Sequence, residues 1–242
     1  MPVRGLFITF EGGEGSGKTT QTERLKRSLE GRGRRVMQMR EPGGTKLGED
    51  LRTLLLTSTS ISPTTELLLF VAARAELVHK AIRPALEAGI DVICDRFIDS
   101  TMAYQGYGRG IDLNLIRTLN DAAIAGCVPD LTVLLDIDPD VGLTRVSEGS
   151  GGDAIEGHWQ AGLALHVEEQ PSGGRRVGGR DTSFHRKVRR GYQTLAKAEP
   201  NRWLVLDARS DRNEIQGAIW GRVEALLAGR ETEDAPVTLE AP

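Results

Sequence analysis

One short segment constrains this chain more than any other: Gly12-Gly13-Glu14-Gly15-Ser16-Gly17-Lys18-Thr19. Its spacing is G-x-x-x-x-G-K-[ST]. It follows the apolar run Leu6–Phe10 directly and opens a helix-like segment, Lys18–Glu30. Glycines at those positions let successive backbone N–H groups curl around phosphate oxygens, and the helix start behind them adds positive potential. A lysine and a hydroxyl at the last two positions suit a triphosphate and its divalent cation. The expected nucleotide set is therefore Gly12, Gly13, Glu14, Gly15, Ser16, Gly17, Lys18, Thr19 and Thr20. Lys18 reaches the β- and γ-phosphates of such a nucleotide, and Thr19 offers its hydroxyl to Mg²⁺.

The rest of the chain reads as the fold such a loop needs. Apolar runs at Leu6–Phe10, Arg35–Met39, Ile90–Cys94, Leu131–Leu135 and Trp203–Leu206 read as strands. Helical patterning covers Gly48–Leu56, Thr64–Ala88, Leu113–Ile124 and Arg212–Leu227, and Phe184, Val188, Tyr192 and Leu195 mark one face of a further helix. In Thr64–Ala88 the repeating apolar positions are Leu67, Leu68, Val71, Ala75 and Val78. Short apolar strands alternating with helices imply an α/β fold, a doubly wound, five-stranded parallel sheet with its ligands at the carboxyl ends of the strands. A chain of 242 residues fits one such domain, here 1–228. Ser147–Gly179 has no period and nine glycines, so 147–182 reads as an enlarged, mobile excursion. The polar segment 229–242 reads as a disordered tail.

Charge and composition exclude several classes. The net charge is −3 and the 31 basic residues are scattered, apart from a cluster between Arg175 and Arg190, so nucleic acid is not an expected partner. Cys94 and Cys127 form no Cys-x-x-Cys pair, which argues against a zinc or redox motif and fits a reducing compartment. His158 and His166 have no third metal ligand at suitable spacing. The run Gly5–Phe10 ends in Glu11 and a glycine loop, not a cleavage site, and no stretch approaches the ~18 apolar residues of a membrane helix. A cytoplasmic location without a membrane partner is expected.

Three further segments say what the nucleotide is used for. Arg40-Glu41-Pro42-Gly43-Gly44-Thr45 follows the second strand. Phe70 and Arg74 share a helix face at i, i+4, with Arg52 upstream. A ring there can stack on a base while a guanidinium donates to its carbonyl; on spacing alone a core Phe and a surface Arg explain the pair better. Asp95-Arg96-Phe97 ends the third strand, followed by Ser100-Thr101-Met102-Ala103-Tyr104-Gln105-Gly106. Arg96 at a strand end suits a phosphate held bidentately, and Asp95 suits orientation of Arg96 or of water on Mg²⁺.

From about Leu6 to Leu227 the sequence resembles bacterial thymidylate kinase: two of these segments carry its R-E-P-G-G-T and S-T-x-A-Y-Q-G motifs, and Asp95-Arg96-Phe97 is similar to its D-R-[YH], with Phe97 in the last position. The resemblance implies a P-loop nucleoside monophosphate kinase that moves the γ-phosphate of ATP to thymidylate (dTMP), giving dTDP, with Mg²⁺. The implied dTMP-binding set is Glu14, Glu41, Pro42, Arg52, Phe70, Arg74, Arg96, Ser100, Thr101, Tyr104 and Gln105. Phe70 and Arg74 hold the thymine ring, and Tyr104 lies against the sugar, where a ring excludes a 2′-hydroxyl. Asp95, Arg96 and Lys18 are the catalytic expectations, with Thr19 and Asp95 toward the metal. The family also implies a homodimer packed through helices, to which Leu67–Val78 is a candidate contributor.

Such kinases surround the migrating phosphoryl group with cations and exclude water with an arginine-bearing lid. Here the P-loop carries Glu14 and no arginine, which resembles the type whose lid supplies the charge. Counting back from Phe184-His185 places Arg176 at the lid position, with Arg175 and Arg180 as rivals. The acids that usually flank that arginine are missing, and about two dozen extra residues, roughly Glu148–Gly174, precede it. Three alternatives stand beside this reading. One is the same chemistry on deoxycytidylate, guanylate or adenylate, the second a P-loop ATPase switch without an acceptor, and the third an inactive binding module.

Overall fold

A computed structural model of the protein describes residues 4–58, 61–148, 176–177 and 180–233. The sheet comprises β1 (Phe7–Glu11), β2 (Val36–Arg40), β3 (Asp91–Asp95), β4 (Leu131–Asp136) and, after a two-stranded hairpin of β5 (Arg176–Val177) and β6 (Arg180–Asp181), β7 (Trp203–Asp207). All five pair in parallel in the order β2-β3-β1-β4-β7. The doubly wound five-stranded sheet expected from the sequence is thus the observed one.

Each strand runs one residue past the apolar pattern and ends in a charged side chain: Glu11, Arg40, Asp95, Asp136 and Asp207. Apolar periodicity stops where the buried sheet gives way to its carboxyl edge. The loops there are stitched to one another, since Glu41 N–H donates to Asp95 O and Arg96 N–H to Phe10 O, both at 2.9 Å.

Side chains leave the sheet alternately. On one face Ile8, Phe10, Ile93, Val133 and Leu135 pack against Leu25 and Leu29 of α1 (Lys18–Gly31) and Ile215, Ile219 and Val223 of α9 (Arg212–Glu233). The other face is covered in two parts. Phe7, Val92 and Cys94 meet Leu77, Ile82, Leu86 and Ile124, with Ile98 of the short α5 (Ile98–Thr101) against them and Ile124 from α6 (Leu113–Ile124). Leu134 and Trp203 meet Tyr104, Ile116 and the Val188–Tyr192–Leu195 face of α8 (Ser183–Ala198).

Three expectations are corrected. The helix expected over Thr64–Ala88 is α3 (Pro63–Leu77), a π-helical turn (Val78–Ile82) and α4 (Arg83–Glu87). Pro84 lacks an N–H and its ring meets the carbonyl four residues back, so the widened turn absorbs it. The buried face of α3 is Leu67, Phe70, Ala73, Arg74 and Leu77, while Leu68 is 49% exposed. Finally, α9 continues through Glu233, so the tail expected from 229 does not begin there; 234–242 lie outside the described residues. Most of 147–182, including His158 and His166, also lies outside them.

Candidate active site

The P-loop is wedged between β4 and α7 (Pro139–Ser147). Gly12 has φ +139°, and a Cβ there would lie 2.5 Å from Leu135 O. At Gly15, φ +66°, a Cβ would lie 2.3 Å from Gly142 O of α7, and a Cβ on Gly142 would lie 2.3 Å from Glu14 O. The loop and α7 therefore touch backbone to backbone. Lys18 Nζ donates to Gly12 O at 3.3 Å and Gly13 O at 3.2 Å. Ser16 Oγ is buried with no hydrogen-bond partner among the described residues, while Thr19 and Thr20 are exposed. Where α2 (Lys46–Thr57), α3, α6 and α7 are capped by Thr45, Ser62, Asp112 and Asp138, α1 follows left-handed Gly17 and carries no side-chain cap. Its first N–H groups and Ser16 Oγ are the groups a phosphate would satisfy.

A second cleft opens at the ends of β2 and β3. Glu41, Phe70, Arg74, Arg96, Ser100, Thr101, Tyr104 and Gln105 line it together. They come from four separate stretches of sequence, and all were singled out as acceptor-side residues. Pro42 and Arg52 flank them: Arg52 NH1 donates to Pro42 O at 3.0 Å, and the Glu41–Pro42 peptide is cis.

Arg74 is neither a surface arginine nor a free donor. It is 1% exposed and bonds Glu41 Oε2 through Nε (2.9 Å) and NH2 (2.6 Å). It also donates to Asn120 Oδ1 (2.6 Å), Phe97 O (3.1 Å) and Thr101 Oγ1 (3.0 Å). Burial pushes the Glu41 carboxyl up, against the pull of Arg74. Most of this guanidinium builds the cleft wall, leaving one NH1 hydrogen outside these bonds.

Arg96 follows β3 with φ +68°, the left-handed region that a non-glycine residue rarely enters and that marks functional turns. Its NH1 donates to Tyr104 OH at 3.3 Å and Ser100 Oγ at 3.4 Å, with the guanidinium over the Tyr104 ring. Tyr104 OH donates to Glu14 Oε1 at 2.8 Å, and His185 Nδ1 of α8 lies 3.3 Å from Glu14 Oε2. Burial alone would raise the Glu14 carboxyl. The His185 hydrogen bond and charge, with Arg96 and Lys18, outweigh it and hold Glu14 well below the carboxylate range. Glu14 thus ties the P-loop to the second cleft and to α8.

Residues 10–157, more than half of the chain, match the family model described as thymidylate kinase. The chain is 46% identical to the thymidylate kinase of Solidesulfovibrio magneticus over 92% of its own length and 100% of that protein's. The chain belongs to the thymidylate kinase family. It is also 45% identical to the thymidylate kinase of Deinococcus radiodurans, covering 91% of this chain and 97% of the relative. The crystal structure of thymidylate kinase from Ehrlichia chaffeensis superposes with a TM-score of 0.68 at 35% identity, over 91% of this chain and 99% of that one. The parallel sheet and P-loop are accordingly those of a P-loop nucleoside monophosphate kinase.

Against the motifs of the thymidylate kinase family, sequence reading missed the residues that support the motif side chains. Glu11, at the end of β1, accepts from Phe97 N–H (2.8 Å), Ser100 Oγ (2.6 Å) and Tyr192 OH (2.8 Å). Burial first, and Asp99 second, push its carboxyl up to about 7. The signal was an acid directly after an apolar strand. Glu66 accepts from Gln105 Nε2, and Glu66, Phe70 and Arg74 recur every four residues on one face of α3, a spacing legible in the sequence. Asn120, His185 and Gly142 carried no local signal. The lid candidates fall around β5 and β6. Arg176 and Arg180 are on the hairpin strands with their side chains outside the described residues, as is all of Arg175.

Proposed function

We propose that this chain transfers the γ-phosphate of ATP to thymidylate, producing ADP and thymidine diphosphate. The observation that carries the reading is the junction of the two clefts at Glu14: one P-loop residue touches both Lys18's loop and the Tyr104–Arg96 pair of the second cleft.

In this mechanism the P-loop amides, Ser16 and Lys18 hold the donor's phosphates. Arg145 ties the loop to the turn after β7, donating to Gly15 O at 3.3 Å and to Ala208 O at 3.1 Å. Arg96 holds the acceptor phosphate, its backbone already set in the required turn. Phe70 stacks on the base, Arg74, Thr101 and Gln105 meet its polar edge, and Ser100 supports Arg96. Tyr104, pinned to Glu14, fills the space a 2′-hydroxyl would need. Phosphoryl transfer demands positioning and cations more than covalent chemistry, which is what Lys18, Arg96 and a lid arginine, Arg176 before Arg175 or Arg180, supply.

Among the described residues no three His, Cys, Asp or Glu side chains are grouped as a metal cage. Mg²⁺ binds through substrate phosphates plus one or two side chains, so an exposed Thr19 hydroxyl and the Asp95 carboxylate fit it. When bound, the ion neutralises charge on the phosphates.

We read 1–228 as one kinase domain with 147–182 as an enlarged lid. The exposed leucines Leu47, Leu54 and Leu68 on α2 and α3 support a homodimer through that face, to be checked by light scattering. No helix among the described residues is long and apolar enough to cross a membrane, and both cysteines are free and buried, which supports a reducing, cytoplasmic setting.

The test is ADP release from MgATP with each monophosphate in turn, on the native chain and on Arg176→Ala. Turnover with thymidylate, lost in the variant, supports both substrate and lid. Turnover that survives Arg176→Ala moves the lid role to Arg175 or Arg180. ADP release indifferent to every acceptor overturns the kinase reading.

A further inference from the structure

Gln105 lies in a π-helical turn, Met102–Gly108, that pushes its side chain into the wall of the acceptor cleft, where it is 2% exposed. Its amide makes one hydrogen bond among the described residues, Nε2 to Glu66 Oε1 at 2.7 Å. Glu66 is itself held from its other side: Arg109 donates through Nε to Oε1 at 3.0 Å and through NH2 to Oε2 at 2.7 Å. Both acidic and basic side chains of that pair are nearly fully buried. A carboxylate gripped in this way only accepts. Turning the Gln105 amide over would set its oxygen against a carboxylate oxygen, a buried contact with no compensating donor. The amide therefore has one orientation, with Oε1 as the polar atom left for whatever enters the cleft.

We propose that Glu66 is a specificity-determining positioning residue, holding the Gln105 amide oxygen toward the acceptor's base so that a pyrimidine with N3–H is accepted and one with an N3 lone pair is refused. The proposal rests on the reading of this cleft as the acceptor pocket. Its neighbours complete the pattern. Thr101 Oγ1 accepts from Arg74, so its own hydrogen is left to donate, and Arg74 NH1 keeps a second hydrogen. One acceptor and two donors complement the O4, N3–H and O2 edge shared by thymine and uracil. Cytosine presents an amino group and a bare N3 to the same atoms, so two lone pairs meet at Gln105. A site built around one required hydrogen bond discriminates more strongly than a pocket sensing a methyl group.

The experiment measures kcat/KM for dTMP, dUMP and dCMP. The dUMP to dCMP ratio reports the N3 edge, and the dTMP to dUMP ratio reports only the methyl group. In Glu66→Gln the amide of residue 66 can face Gln105 with either atom, so the orientation lock is lost. The dUMP to dCMP ratio is expected to fall at least about tenfold, with the dTMP to dUMP ratio and the KM for ATP within about twofold. Glu66→Asp keeps an acceptor-only group and is expected to retain the dUMP to dCMP ratio even at lower kcat. Gln105→Met removes the oxygen and is expected to lose the ratio while Glu66 is intact, which tests the same atom if Glu66→Gln does not fold. An unchanged ratio in Glu66→Gln or in Gln105→Met, or an equal loss in Glu66→Gln and Glu66→Asp, overturns the proposal. Failure of the underlying reading looks different: the unaltered enzyme would not turn over dTMP at all.

Discussion

Arg74 and Glu41 show how one side chain can serve structure and site together. Removing the arginine leaves a buried carboxylate without its cation, which costs about 3–5 kcal/mol. Arg74→Met is therefore expected to lower stability by that amount in urea unfolding. Arg74→Met/Glu41→Gln is expected to recover much of it without recovering thymidylate turnover. A purely structural arginine would regain both. Glu11 carries the second residue-scale expectation. Its folded value is raised from 4.5 to about 7, so between those values the native state holds a proton the unfolded chain has released. Stability contributed at low pH is then lost as pH rises from 4.5 through 7, on the order of 3 kcal/mol at most. Melting temperature followed from pH 5 to 8 should fall across that window in the unaltered chain and fall less in Glu11→Gln.

At the scale of elements, the active site is a set of contacts between strand ends and the helices that follow them. The P-loop is shaped from outside by α7, where Gly15 and Gly142 face each other with no room for a Cβ on either. Gly142→Ala would drive a methyl into Glu14 O, and overpacking of this kind costs about 1–3 kcal/mol. The expected result is a destabilised enzyme whose KM for ATP rises more than its KM for thymidylate, checked by unfolding and steady-state kinetics. Helix boundaries follow the same logic. Pro84 explains the π-helical turn before α4, whereas the turn at Met102–Gly108 contains no proline and instead delivers Tyr104 and Gln105 to the cleft.

For the whole molecule, two clefts on one rigid sheet imply two separable ligand contributions to stability. Each ligand at a hundredfold excess over its Kd adds about 2.7 kcal/mol. For a domain of this size that is about 5–10 °C in Tm. Thymidylate alone and an unreactive ATP analogue alone should each raise Tm by this much. Arg96→Ala is expected to abolish the thymidylate shift while leaving the analogue's shift intact. Loss of both shifts would mean that Arg96 supports the fold, not one ligand.

The phosphate loop, the five strands and the motif segments that line the second cleft were legible because each depends on residues near one another in the chain. The spacing of Gly12–Thr19 dictates a curled backbone whatever lies beyond it, and the apolar runs dictate buried strands. The face of α3 was misread, because Phe70 and Arg74 point inward for reasons that lie on α6 and the loop after β3. Tertiary structure alone decided the supporting contacts. Glu11 meets Tyr192 across 181 positions, and Glu66 meets Gln105 across 39. Only the folded sheet brings those groups within hydrogen-bond reach, and burial there leaves each polar group dependent on the partner the fold supplies.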